Sequence, residues 1–131
     1  MVEQIPHDVV QTLKLQSERL IGILMNRPKT AMQATRRTLD VQPVTRDTLR
    51  EFERKTILYL GAKLSNISTE LHGFALLGKN QAWRPVPARQ RQHIRRLWEG
   101  AKDHQNLVLE IWQEMKQALE VVGVEMRGPE S

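Results

Sequence analysis

Residues 57–74 read Ile-Leu-Tyr-Leu-Gly-Ala-Lys-Leu-Ser-Asn-Ile-Ser-Thr-Glu-Leu-His-Gly-Phe, and no proline interrupts the chain from Thr45 to Leu77. Apolar residues recur at Ile57, Leu60, Leu64, Ile67, Leu71 and Phe74, always three or four positions apart. That spacing puts all six on one face of an α-helix. Leu49 and Phe52 carry the line upstream with the small drift that an α-helical turn shows against a seven-residue repeat. Thr45 is a suitable N-cap, Val44 and Leu49 sit where a hydrophobic staple packs, and Gly78 is a suitable stop. The reading predicts a helix over about 46–77, roughly 48 Å long. A helix of that length with a single apolar seam needs partners.

Downstream lies a ten-residue connection, Gly78 to Pro87, with two prolines. A second long helix is predicted over about 88–122. Its seam is Ile94, Leu97, Ala101, His104, Val108, Ile111, Met115, Ala118 and Val122, widened by Trp98, Trp112 and Leu119. Matching seams joined by a short loop predict an antiparallel hairpin. Upstream, Val9, Leu13, Leu20 and Leu24 mark a helix over about 8–25. Asn26-Arg27-Pro28 breaks it, because proline disfavours helix at the residue before it. A short helix is predicted over about 29–39, then a linker, Asp40 to Pro43. Residues 1–7 and 124–131 read as flexible tails.

The expected fold is therefore all-α: one domain over residues 1–131, a long antiparallel helical hairpin packed with one medium and one short helix, four-helix-bundle-like. The seam is wide enough to leave part of its surface for another chain, by self-association or in a larger complex.

The chain has 131 residues, 40% of them hydrophobic and 27% charged, which is ordinary for a globular domain. It has no cysteine, so disulfides, thiolate metal sites and cysteine nucleophiles are excluded. The N-terminus lacks the basic and apolar regions of a signal peptide, and no apolar run is long enough to span a membrane. A cytoplasmic location without membrane association is the expectation.

The net charge is +5, and its distribution is uneven. No acidic residue occurs between Glu70 and Glu99, whereas that interval holds Lys79, Arg84, Arg89, Arg91, Arg95 and Arg96. Arg91, Arg95 and Lys102 fall near one line of the second long helix, with Arg89 and Arg96 beside it. Arginine is well suited to bidentate phosphate contacts, and Trp83 is placed to stack on an unpaired base. Arg27, Lys29, Arg36 and Arg37 form a second basic group on the short helix. Arg46, Arg50 and Arg54 interleave with Asp47, Glu51 and Glu53, so ion pairs along the helix surface account for them.

Nothing in the sequence points to catalysis, a metal or a cofactor. His7, His72, His93 and His104 are not paired at helical spacing, and no glycine-rich phosphate loop occurs. His104, in the seam, reads as a core histidine. The functional expectation is a non-enzymatic subunit of a nucleoprotein complex. It would bind nucleic-acid backbone without strong sequence preference through the basic residues above. The alternative is a helical chaperone, adaptor or regulator that docks an acidic or helical protein on the seam, with Phe74, Trp98 and Trp112 at the interface.

Overall fold

The structure, a computed structural model, describes residues 4–79 and 87–128, with residues 77–79 described by their backbone alone. Four helices follow in order: α1 (His7–Ile23), α2 (Asn26–Arg37), α3 (Arg46–Lys79) and α4 (Ala88–Val121). A 3-10 turn (Thr38–Asp40) extends α2, and no strand occurs among the described residues. The fold is all-α, with helices packed on helices.

Local chemistry explains the boundaries. Thr45 Oγ1 accepts the backbone N–H of Thr48 at 3.2 Å, and Thr48 Oγ1 accepts that of Thr45 at 3.3 Å, a reciprocal cap for α3. Val44 and Leu49, the two staple positions, are both buried. Between α1 and α2, Leu24 and Met25 are extended and Asn26 takes φ 58°, a left-handed conformation that asparagine tolerates. α2 thus starts three residues earlier than the sequence reading places it. Pro28 lies in its first turn, where a missing N–H costs nothing. α3 runs through Gly78 to Lys79, because glycine weakens a helix without being obliged to end it.

α1 runs antiparallel to α4: Asp8 and Val9 lie beside Ala118 and Val121, and Arg19 bonds Glu110 at 3.3 Å. α2 lies on α3, with Thr56 Oγ1 3.9 Å from Met32 Sδ. Leu13, Leu20, Met32, Leu39, Leu49, Phe52, Leu60, Val108, Ile111, Met115 and Leu119 are buried between the four helices. Each contributes on the order of 1.5–3 kcal/mol by leaving water. Buried Ser17 and Thr35 donate to the carbonyls one turn back, so their hydroxyls are satisfied within their own helices.

The expected flexible C-terminal tail requires correction over residues 124–128. Gly123 takes φ 76° and ends α4 in a Schellman motif: Val124 N–H donates to Leu119 O at 3.0 Å and Gly123 N–H to Glu120 O at 3.1 Å. The turn sends the chain back over the bundle, where Val124 and Met126 are buried. Arg127 N–H donates to Glu53 Oε1 at 3.1 Å, and Trp112 Nε1–H donates to Arg127 O at 3.0 Å. Residues 129–131 lie outside the described residues.

Helix lengths decide the shape. α3 and α4 have 34 residues each and α1 has 17. Taken from the Arg19–Glu110 contact, α1 ends about level with residue 106 of α4. Beyond that level α3 and α4 continue as a two-helix arm, roughly 25 Å long at 1.5 Å per residue. Within it, no described residue after Ile67 on α3 or before Ala101 on α4 is buried. His104 is exposed, contrary to the core role expected of it, because the inward line of α4 there passes through Ala101, Gln105 and Val108 and α1 ends beside it.

Candidate binding face on the helical arm

The arm keeps the apolar period of the long helices but lacks the two helices that cover it at the base. Leu71, Phe74 and Ile94 are half-buried, and among the described residues they are covered only by one another's helices. Leu76, Leu97 and Trp98 are 44%, 46% and 41% exposed, large values for apolar side chains this close together. Between the two helices lies a groove of about 660 Å³, lined by Phe74 and Ala75 of α3 and by Ala88, Arg91, Gln92, Ile94, Arg95 and Trp98 of α4. The alanines keep it open. Its floor is apolar and aromatic, and its border carries two arginines one helical turn apart.

The sequence-predicted basic residues divide into three groups. Arg89, Arg91, Arg95 and Arg96 are exposed, and among the described residues none has a carboxylate within ion-pair distance. They do not form one stripe. Arg91 and Arg95 border the groove, whereas Arg89 and Arg96 flank a second depression of about 510 Å³ with Gln90, Gln92 and His93. Lys102 is held within the chain: its Nζ donates to Gln105 Oε1 at 3.2 Å and lies 5.9 Å from the Trp98 ring centre.

The second group, on α2, is remote. Met32 sits by Thr56, and Thr56 is 18 residues from Phe74 along α3, about 27 Å. Arg36 is committed to the fold: it bonds Asp40 at 2.6 Å and Glu18 at 3.4 Å, and Lys14 reaches the same Asp40 at 3.0 Å. The Arg36 bond, aided by Lys14, holds the Asp40 carboxyl below the usual aspartate range. Arg36 thus already has carboxylate partners within the chain. Lys29 is half-buried and Arg37 exposed. The third group, Trp83, Arg84 and the side chain of Lys79, lies outside the described residues.

Of the three expected interface residues, the structure keeps Phe74 and Trp98 together at the groove. Trp112 is separate. It packs partly against the core, donates to Arg127 O and carries Lys116 Nζ 5.1 Å from its ring centre, away from the groove. Residues the sequence reading did not single out are Ala75, Ala88 and Gln92; their signal is small or short polar residues level with large apolar ones.

No His, Asp or Glu cluster able to hold a metal ion occurs among the described residues, and no helix there is long and apolar enough to cross a membrane. Comparison with known families, with curated proteins and with solved structures finds no match.

Proposed function

We propose that this chain is a non-enzymatic binding subunit that holds a helical segment of another protein along the open face of its arm. The observation that carries the reading is the mismatch between helices. The inward face of α3 and α4 is built to be covered, and α1 and α2 cover only half of it. Phe74, Ile94, Leu97 and Trp98 continue the seam where no other helix lies among the described residues. A guest helix laid there removes this surface from water in the way α1 and α2 do at the base. Such a subunit serves as a chaperone, adaptor or regulator.

The second reading is contact with nucleic-acid backbone through the arm. Its support is the set of four exposed arginines without carboxylate partners among the described residues, in a stretch free of acids. It leaves the aromatic groove unexplained, which is why it stands second.

The two readings differ in solution. A photo-crosslinking residue replacing Trp98 in cells that express the protein should attach to one protein segment, and the same residue at exposed Leu58 on the base should not. Nucleotide adducts at position 98 would sink the helix reading. So would a purified chain that binds single strands or duplex with an affinity falling steeply with salt and indifferent to Phe74→Ala.

A further inference from the structure

Resting on that reading, we infer that the guest is an acidic amphipathic helix, recognised by carboxylates one turn apart that meet Arg91 and Arg95 while its apolar stripe fills the Phe74–Trp98 groove. Three observations carry this. The first is composition. Between Glu70 and Glu99, the stretch from which both walls of the groove are built, there is no acid to neutralise the arginines. The second is commitment. Arg19, Arg36, Arg50 and Arg54 each bond a carboxylate of this chain, whereas among the described residues Arg91 and Arg95, like Arg27 and Arg37 on α2, bond none, and of these only Arg91 and Arg95 border the apolar groove. The third is register. Arg91 and Arg95 are four residues apart on α4, so they project from one face about 6 Å apart. Side chains three or four apart on a guest helix match that interval, and arginine donates two parallel hydrogen bonds to a carboxylate.

Length sets the size of the guest. The α4 wall runs from Ala88 to Trp98, 11 residues, or about 16 Å. A guest of three to four turns covers it. The apolar stripe supplies most of the affinity, and the carboxylates supply choice of partner and speed of encounter. A second copy of this chain is the less suitable guest. Two arms laid side by side in the same sense oppose Arg91 and Arg95 with their own copies.

The experiment is a selection. A displayed library of 15-residue helices keeps an apolar i, i+3, i+7 stripe and randomises the flanking positions. It is panned on the intact chain and, separately, on the double variant Arg91→Glu, Arg95→Glu. Both positions are exposed, so helicity and melting should be unchanged, and circular dichroism confirms it. The expected result is enrichment of Asp or Glu at two positions one turn apart on the wild type, replaced by Lys or Arg on the variant. Clones selected on the wild type should lose on the order of tenfold affinity for the variant. Enrichment of apolar helices with no charge bias overturns this inference and leaves the proposed function standing. Failure to enrich any helix, with arginine-dependent binding of an oligonucleotide, overturns both. Dimerisation that survives in sedimentation and buries Trp98 also overturns it, by making a second copy the guest.

Discussion

Glu53 and Arg127 are 74 residues apart, and the carboxylate of the first accepts the backbone N–H of the second at 3.1 Å. Glu53 is 7% exposed and lies beside the pocket formed by Arg50, Arg54 and the turn at Gly123. The bond fastens the returning C-terminal segment to the start of α3. Glu53→Ala leaves a partly buried N–H unmade and should cost about 1–3 kcal/mol. Glu53→Gln keeps an acceptor and should cost less. Urea denaturation of both variants checks the order; equal and negligible losses would mean the tail is not fastened there.

Gly123 sits at the hinge of that return. Its φ of 76° is unfavourable for any residue with a Cβ, but a Cβ built there would meet only Arg46 side-chain atoms at 3.7 and 3.9 Å, ordinary contacts. The cost of Gly123→Ala is therefore conformational, about 1–2 kcal/mol. Gly123→Asn should recover part of it, since asparagine tolerates the left-handed region. A smaller loss for alanine than for asparagine in thermal melts would contradict the Schellman turn.

Base and arm should respond differently to truncation. Phe52 is buried among the helices of the base, and Phe52→Ala should cost about 3–5 kcal/mol. Trp98 is 41% exposed, and Trp98→Ala should change stability by less than about 1 kcal/mol while abolishing capture of the guest. Comparable losses in the two variants would show that the arm belongs to the core.

Hydrogen exchange should divide each long helix in two. None of residues 68–76 and 88–100 is buried, and their backbone amides should exchange by local opening. Those of residues 49–60 and 108–119 should exchange only near global unfolding. Binding a guest helix should protect the first set alone. Uniform protection along α3 and α4 in the free chain would refute the division.

Acid should weaken the junction of α1, α2 and the 3-10 turn. The Arg36 hydrogen bond, with help from Lys14, lowers the folded-state pKa of Asp40. Its contribution is therefore complete above the unfolded aspartate value, near about pH 4. It is lost as pH falls through the lower folded value. The stability gap between wild type and Asp40→Asn should be constant at neutral pH and close below that point. A gap that widens with acid would reverse the assignment.

Much of the fold is legible in the residues themselves. The three-four spacing from Ile57 to Phe74 marks α3, and Thr45 caps it as its hydroxyl allows. The returning tail escaped because Val124 and Met126 are too few to declare a pattern. Gly123, the residue after the predicted helix, is the available signal, and a lone glycine there marks an end of helix without showing that the turn redirects the chain. Helical rotation is the other hidden quantity. Lys29, Arg36 and Arg37 share one short helix, yet only Arg36 meets Glu18 and Asp40; four-residue spacing allows the Asp40 bond, but the Glu18 contact depends on how α1 lies against α2. His104 was misplaced for a related reason: its phase fits the seam, but cover depends on where α1 stops.

The excess of α3 and α4 over α1 also gives the molecule a reach. The base anchors the two helices, and the groove is carried outward from it by whole turns of paired helix. Deleting seven residues from each helix at matched levels, about 60–66 and 102–108, would preserve the seam and retract the groove by about 10 Å. In the proposed reading the arm is an adjustable spacer, whose length would set how far from the body of the protein a guest is held.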